Sequence, residues 1–166
     1  MPVEPIMPAF PWLDAAIVLA LIALNGLFAM SELDRGKAGM GTTISAMMSF
    51  GDYAVTAQVG DSRIYRVRST SVSQLTEDHT LIAWQLKQGL ITEEEAKRSR
   101  HKNVITRAVG NRDYVQVDTS VFELELGDLY LLCSDGLYGY LKEEEIPVVA
   151  APGGDAAVRA FIDLAN

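Results

Sequence analysis

Two aspartates stand where a short apolar run breaks into glycine. Asp61 lies in Val59-Gly60-Asp61-Ser62-Arg63, and Asp135 lies in Leu131-Leu132-Cys133-Ser134-Asp135-Gly136-Leu137. A carboxylate at a strand end can point into a cleft and meet a hard divalent cation, which prefers oxygen ligands. Asp and Gly also dominate ordinary turns for backbone reasons, so neither aspartate alone separates a metal ligand from a turn residue. His79 and His101 lack the spacing of a metal site, and a hard-metal centre has little use for imidazole. The run from Gly36-Lys37 to Thr42 is not a phosphate-binding loop, because its lysine comes before the glycines that should precede it.

Short strands must position these carboxylates. Residues 42–49, 53–59 and 63–67 are rich in β-branched and aromatic residues and are separated by Phe50-Gly51-Asp52 and Gly60-Asp61-Ser62, which predicts a meander. Residues 80–99 switch to helical character: Leu81, Ile82, Leu86 and Leu90 share a broad apolar face, and Thr92 with Glu95 forms a capping-box pattern for a second helix. Strand character returns at 103–108, 115–124 and 129–133, and Asp155 is placed to cap a last amphipathic helix through Ala156, Ala160, Phe161 and Leu164. The expectation is an α+β domain.

At 166 residues the chain has room for one ordinary domain plus appendages. Its 49% hydrophobic and 22% charged residues exclude a disordered or collagen-like chain. The net charge is -8; Glu4, Asp14, Glu32 and Asp34 against Arg35 and Lys37 supply -2 of it, leaving -6 on the remainder. No nucleic-acid partner is expected, because that would need a positive surface to displace counterions. The single cysteine, Cys133, cannot form an internal disulfide and lies in an apolar run, so a buried reduced thiol is expected.

Residues 10–30 carry one charge, Asp14, over about the 20 residues that a helix needs to cross the hydrocarbon core. Residues 1–9 contain no base, unlike a secretory signal, while Arg35 and Lys37 follow the stretch, so an uncleaved anchor with the following domain in the cytoplasm is expected. Asp14, Asn25 and Gly26 also suit a buried core helix. The expected layout is a tail at 1–9, the hydrophobic helix at 10–30 preceding a linker at 31–38, and a folded domain at 39–166.

Six segments occur in order: Gly39-Met40-Gly41-Thr42-Thr43, Val59 to Tyr65, Leu75 to Thr80, Gln88 to Ala96, Asn103 to Gly110 and Leu131 to Leu137. Together they resemble bacterial metal-dependent (PPM, type 2C) protein serine/threonine phosphatases over about residues 39–166. The resemblance implies an αββα sandwich with a binuclear manganese or magnesium site in a cleft, hydrolysing phosphoserine and phosphothreonine on proteins. By it, Asp135 matches a core metal ligand, Asp61 matches the aspartate of a third and weaker metal, and residues 79–103 match a flap beside the cleft. The end of the flap and the stretch after it hold Lys97, Arg98, Arg100, Lys102, Arg107 and Arg112, six of the twelve Lys and Arg after residue 39. Arg98, Arg100 and Lys102 are the candidates to attract a phosphopeptide, with a merely solvated helix end as the plain alternative. Phosphorylated proteins and a serine/threonine kinase are the implied partners. Separately, Leu24 to Leu33 resembles the first transmembrane helix of hemolysin-like magnesium/cobalt-efflux proteins, which suggests a chimeric reading frame and a domain held at the inner membrane.

The sequence departs from the family pattern at both ends of this stretch. The glutamate-aspartate pair and the Asp-Gly-Met-Gly-Gly motif expected upstream are not present, and Asp34-Arg35-Gly36 does not replace them. The last expected aspartate should follow the final helix, whereas Gly153-Gly154-Asp155 begins it. Gly139 stands where many relatives carry another acid. The reading is therefore an N- and C-terminally truncated phosphatase with an incomplete metal site and weak activity, or an inactive module that binds phosphoproteins or a kinase.

Overall fold

In the computed structural model, residues 39–101, 103–110 and 114–166 are described. The expected tail, hydrophobic helix and linker over 1–38, together with Lys102 and Arg112, lie outside the described residues. Among the described residues no helix is long and apolar enough to cross a membrane. Thr42–Val109 and Tyr114–Asn166 form one unit; Gly39 to Gly41 and Gly110 belong to a second, otherwise outside the described residues.

The first hairpin joins β1 (Ile44–Phe50) to β2 (Tyr53–Val59), with Phe50 paired to Tyr53. That pairing leaves a two-residue turn, and Gly51 supplies the positive φ that such a turn demands. β2 also pairs antiparallel with β5 (Asp118–Glu123), giving the order β1-β2-β5. A second sheet has the order β4-β3-β6, from β3 (Arg63–Arg68), β4 (Ser71–Gln74) and β6 (Leu129–Cys133). The sheets meet where Phe122 of β5 packs on Tyr130 of β6, ring centroids 5.8 Å apart.

Strand alternation decides which face of the second sheet is covered. Tyr65 is registered with Leu131, Arg63 with Cys133, and Val67 with Val72, so the apolar members of three strands share one face. Against that face pack Ile146 and Ala150 of α4 (Ile146–Ala150) and Ala157 and Phe161 of α5 (Gly154–Ala165), with Leu141 between. Each fully buried large apolar side chain contributes about 1.5–3 kcal/mol. Mixed α and β architecture is thus as expected, and the described residues supply two sheets and a helical layer against the second sheet.

Two short helices, α1 (Leu81–Lys87) and α2 (Glu93–Arg98), occupy the predicted helical stretch. The capping box forms as expected: the Glu95 N–H donates to the Thr92 hydroxyl, and the Thr92 N–H donates to the Glu95 carboxylate. Three expectations are corrected. Residues 103–108 are no strand, because only single bridges, Thr80 to Ile105 and Thr42 to Val109, hold that region. β5 begins at Asp118 and not at 115, because its ladder with β2 starts only at the pair Gln58 with Asp118. Gly153, not Asp155, caps α5, and Asp155 sits in the first turn, where the helix dipole favours an acid.

Candidate metal site

Asp61 stands two residues before Arg63 of β3, and Asp135 stands two residues after Cys133 of β6. Arg63 and Cys133 are registered partners in an antiparallel pair, so both aspartates emerge at the same end of neighbouring strands. Asp135 opens the short helix α3 (Asp135–Tyr138) and is exposed, while Asp61 is half-buried.

The loop that carries Asp61 is fixed on both sides. Gly60 has φ +103°, and a Cβ there would lie 2.2 Å from Thr43 Cγ2, so glycine alone fits. The Gly60 N–H donates to His79 Nδ1 at 3.1 Å, and the His79 N–H donates back to the Gly60 carbonyl at 2.9 Å. Gln58 Nε2 donates to the carbonyls of Gly60 (2.9 Å) and Ser62 (2.7 Å), and Ser45 Oγ adds a bond to Ser62 at 2.8 Å.

On the other side, Arg63 Nε donates to both carboxylate oxygens of Asp78 at 2.9 and 3.0 Å, and its second amino group reaches Asp78 Oδ2 at 2.6 Å. The guanidinium lies 3.8 Å from the Tyr138 ring centroid, and the Tyr138 hydroxyl donates to the Asp61 backbone carbonyl at 3.0 Å. Burial first, then the Asp61 charge, pushes the Tyr138 phenol up, so it remains a protonated donor. Burial first, then the charges of Asp135 and Asp78, raises the Asp61 carboxyl above its ordinary range, against the pull of a backbone bond and Arg63. Neighbouring carboxylates that repel in this way are relieved by a shared cation.

Two carboxylates fit one hard cation that keeps most of its water, as magnesium does. They do not by themselves fit two ions: among the described residues no group of three or more His, Cys, Asp or Glu is placed to hold a metal. Asp78, the other acid whose charge acts on Asp61, is already committed to Arg63.

His79 is buried, 5% exposed, and its ring bonds to Gly60 and Asp118 and to neither Asp61 nor Asp135. Since its Nδ1 accepts from Gly60, its Nε2 carries the proton and donates to Asp118 Oδ2 at 3.0 Å. The 3.1 Å approach of Arg107 to that nitrogen is donor against donor; the bond of Arg107 is to Asp118 Oδ1, at 2.7 Å. Burial acts to raise the Asp118 carboxyl, but the bonds from His79 and Arg107 outweigh it and hold the group below its ordinary range. A cavity of about 180 Å³ lies against β2 and β5, lined by Thr56, Gln58, Asp118 and Ser120 and by Leu75 to Glu77; neither Asp61 nor Asp135 lines it.

Arg98, at the end of α2, and Arg100 are exposed, and among the described residues no bond links either to Asp61 or Asp135. Cys133 is partly buried with its thiol pushed up to about 11 by burial, which makes it an inert side chain. Sequence reasoning missed Tyr138, Asp78 and the Gly60–His79–Asp118 chain, whose partners lie far apart along the sequence.

No protein-family model matches the chain. It is 42% identical over 142 residues to "Serine/threonine phosphatase stp" of Listeria welshimeri, an alignment covering 84% of this chain and 56% of that protein. The chain thus spans about half the length of the curated relatives it matches. Its fold superposes on the Mycobacterium tuberculosis serine/threonine phosphatase PstP/Ppp with a TM-score of 0.84 and 32% identity, covering 98% of this chain and 68% of that one. The catalytic domain of the serine/threonine protein phosphatase PstP in complex with two manganese ions matches with a TM-score of 0.76 and 32% identity, covering 86% and 59% of the two chains.

Proposed function

The chain belongs to the PPM-type serine/threonine phosphatase family, and from that premise we propose that it carries part of a site for metal-dependent hydrolysis of phosphoserine and phosphothreonine on proteins. In this reading Asp61 and Asp135 hold a manganese or magnesium ion. The observation that carries it is the emergence of both carboxylates at one end of the paired strands β3 and β6, with the charge of Asp135 raising Asp61.

A divalent ion in such a site polarises a phosphoryl oxygen and lowers the pKa of bound water. The residues of this chain supply its oxygen ligands and hold them still. Arg63 is no phosphate clamp, because its guanidinium is spent on Asp78 and Tyr65. Arg98, Arg100 and Lys102 are proposed to draw in a phosphorylated peptide, with a serine/threonine kinase as the opposing enzyme.

Monoester hydrolysis needs accelerations up to about 10²¹-fold, and each 1.36 kcal/mol lost costs roughly a factor of ten. Two carboxylates that bind one ion through water forfeit much of that, so the chain alone is expected to turn over slowly or not at all. The test is turnover of a phosphothreonine peptide in millimolar manganese beside a full-length relative. Slow turnover that Asp135→Ala removes supports the reading; turnover unchanged by Asp135→Ala sinks it.

A second reading, a module that binds phosphoproteins without hydrolysing them, is favoured by the lack of a three-ligand group among the described residues. Phosphopeptide binding that persists in Asp135→Ala without any turnover selects it.

A further inference from the structure

We propose that Tyr138 is a positioning residue of the metal site, setting the separation of Asp61 from Asp135 through its hydroxyl. The inference rests on the reading that these two aspartates share a cation.

The two carboxylates come from different loops, and a cation that both ligate requires their separation to be fixed before it arrives. The strand register brings the loops to one end of the sheet, but both aspartates lie beyond the last registered pair, Arg63 with Cys133. Past that point the ladder no longer holds them. Tyr138 ends the same short helix that Asp135 begins, and its hydroxyl donates to the backbone carbonyl of Asp61 at 3.0 Å. The two carboxylate-bearing segments are thereby bonded directly to each other.

The ring is held as well. Arg63 lies over it at 3.8 Å, and Asp78 pins Arg63 with three contacts. A stacked guanidinium restricts the tilt of the ring, so the hydroxyl stays aimed at the Asp61 carbonyl. Tyr138→Phe removes only the bond and leaves the ring and its stacking in place. A single hydrogen bond of this kind corresponds to about a three- to tenfold change in an equilibrium constant.

The experiment titrates manganese into the full chain, with the free ion read by electron paramagnetic resonance, for the wild type, Tyr138→Phe, Tyr140→Phe and Asp135→Ala. Tyr140 is 75% exposed and serves as the control. In the metal-free proteins the Asp61 carbonyl-carbon resonance and the thermal midpoint are also measured. The expected result is manganese affinity about three- to tenfold weaker in Tyr138→Phe, a displaced Asp61 resonance, and a midpoint within a few degrees of wild type. Tyr140→Phe should change none of these. Wild-type affinity in Tyr138→Phe, or an unmoved Asp61 resonance, overturns the proposal while leaving the metal reading intact. Manganese binding that is absent from the wild type, or indifferent to Asp135→Ala, overturns the metal reading and this proposal with it.

Discussion

Arg63 grips Asp78 with a bidentate fork, the side chains being 23% and 13% exposed, and both charges of this pair act on Asp61, two residues before Arg63. The pair joins the start of β3 to the segment after β4, and the guanidinium also donates to the Tyr65 hydroxyl at 2.8 Å. Removing one partner strands the other charge in a largely desolvated place. Asp78→Ala is therefore expected to cost about 1–3 kcal/mol, read from urea denaturation. Arg63→Lys should fare little better, because an ammonium cannot reproduce the planar fork. Wild-type stability in Asp78→Ala would show that the pair is ornamental.

His79 makes a prediction about a proton. With Nδ1 accepting from the Gly60 N–H, the ring must be the Nε2–H tautomer, visible in long-range nitrogen–proton NMR spectra. His79→Ala leaves the buried Gly60 N–H without its acceptor and should cost about 1–3 kcal/mol. The Asp118 carboxyl, now held down partly by His79, should titrate closer to its ordinary value in that variant. An unchanged Asp118 titration would refute the assigned bond.

What could be read from the sequence was local. Apolar alternation and glycine turns located β2, β3 and β6 to within a residue, and the Thr92–Glu95 spacing located the start of α2. The β3–β6 register, which brings Asp61 and Asp135 to one end of the sheet, pairs residues far apart in the chain, and no local pattern encodes it. The same holds for the Tyr138 bond to Asp61 and for the chain through His79 to Asp118. The false strand at 103–108 has the opposite cause: suitable residues were present, but only isolated bridges await them. Composition proposes a strand, and a partner is needed to make one.

Asp128 should govern part of the acid limit of stability. Its side chain is 3% exposed and receives Arg68 at 2.8 and 2.7 Å, the Tyr130 hydroxyl at 2.8 Å and the Glu125 N–H at 3.0 Å. Arg68 first, with the other donors, holds the carboxyl well below the usual range against the effect of burial. A group whose folded pKa is depressed stabilises fully above its unfolded value, about 3.9, and loses that contribution as pH falls through the folded value. The thermal midpoint should fall as pH drops below about 4. Asp128→Asn should lower the midpoint at pH 7 by on the order of a few degrees and flatten the acid decline. An acid decline as steep as in the wild type would count against this assignment.

Gly60→Ala is the substitution expected to damage both the fold and the site, and the cost has two separable parts. The first is conformational: φ at +103° lies where a side chain is rarely tolerated, which costs on the order of 1–3 kcal/mol. The second is steric, since the new Cβ would stand 2.2 Å from Thr43 Cγ2, 2.5 Å from Thr43 Cβ and 3.1 Å from Thr43 Cα. Thr43 cannot simply turn away, because its hydroxyl is bonded to Ser62 Oγ at 2.9 Å and its backbone atom contributes to the clash. The backbone of Gly60 must yield, and Asp61, the next residue, moves with it. Thr43→Gly removes the two side-chain contacts and leaves the conformational part. In a double-mutant cycle, Gly60→Ala should therefore be milder in the Thr43→Gly background than in the wild type, with a coupling of about 1–3 kcal/mol. Purely additive losses would show that the strain lies in the backbone angle alone and that the Thr43 contact is relieved at no cost.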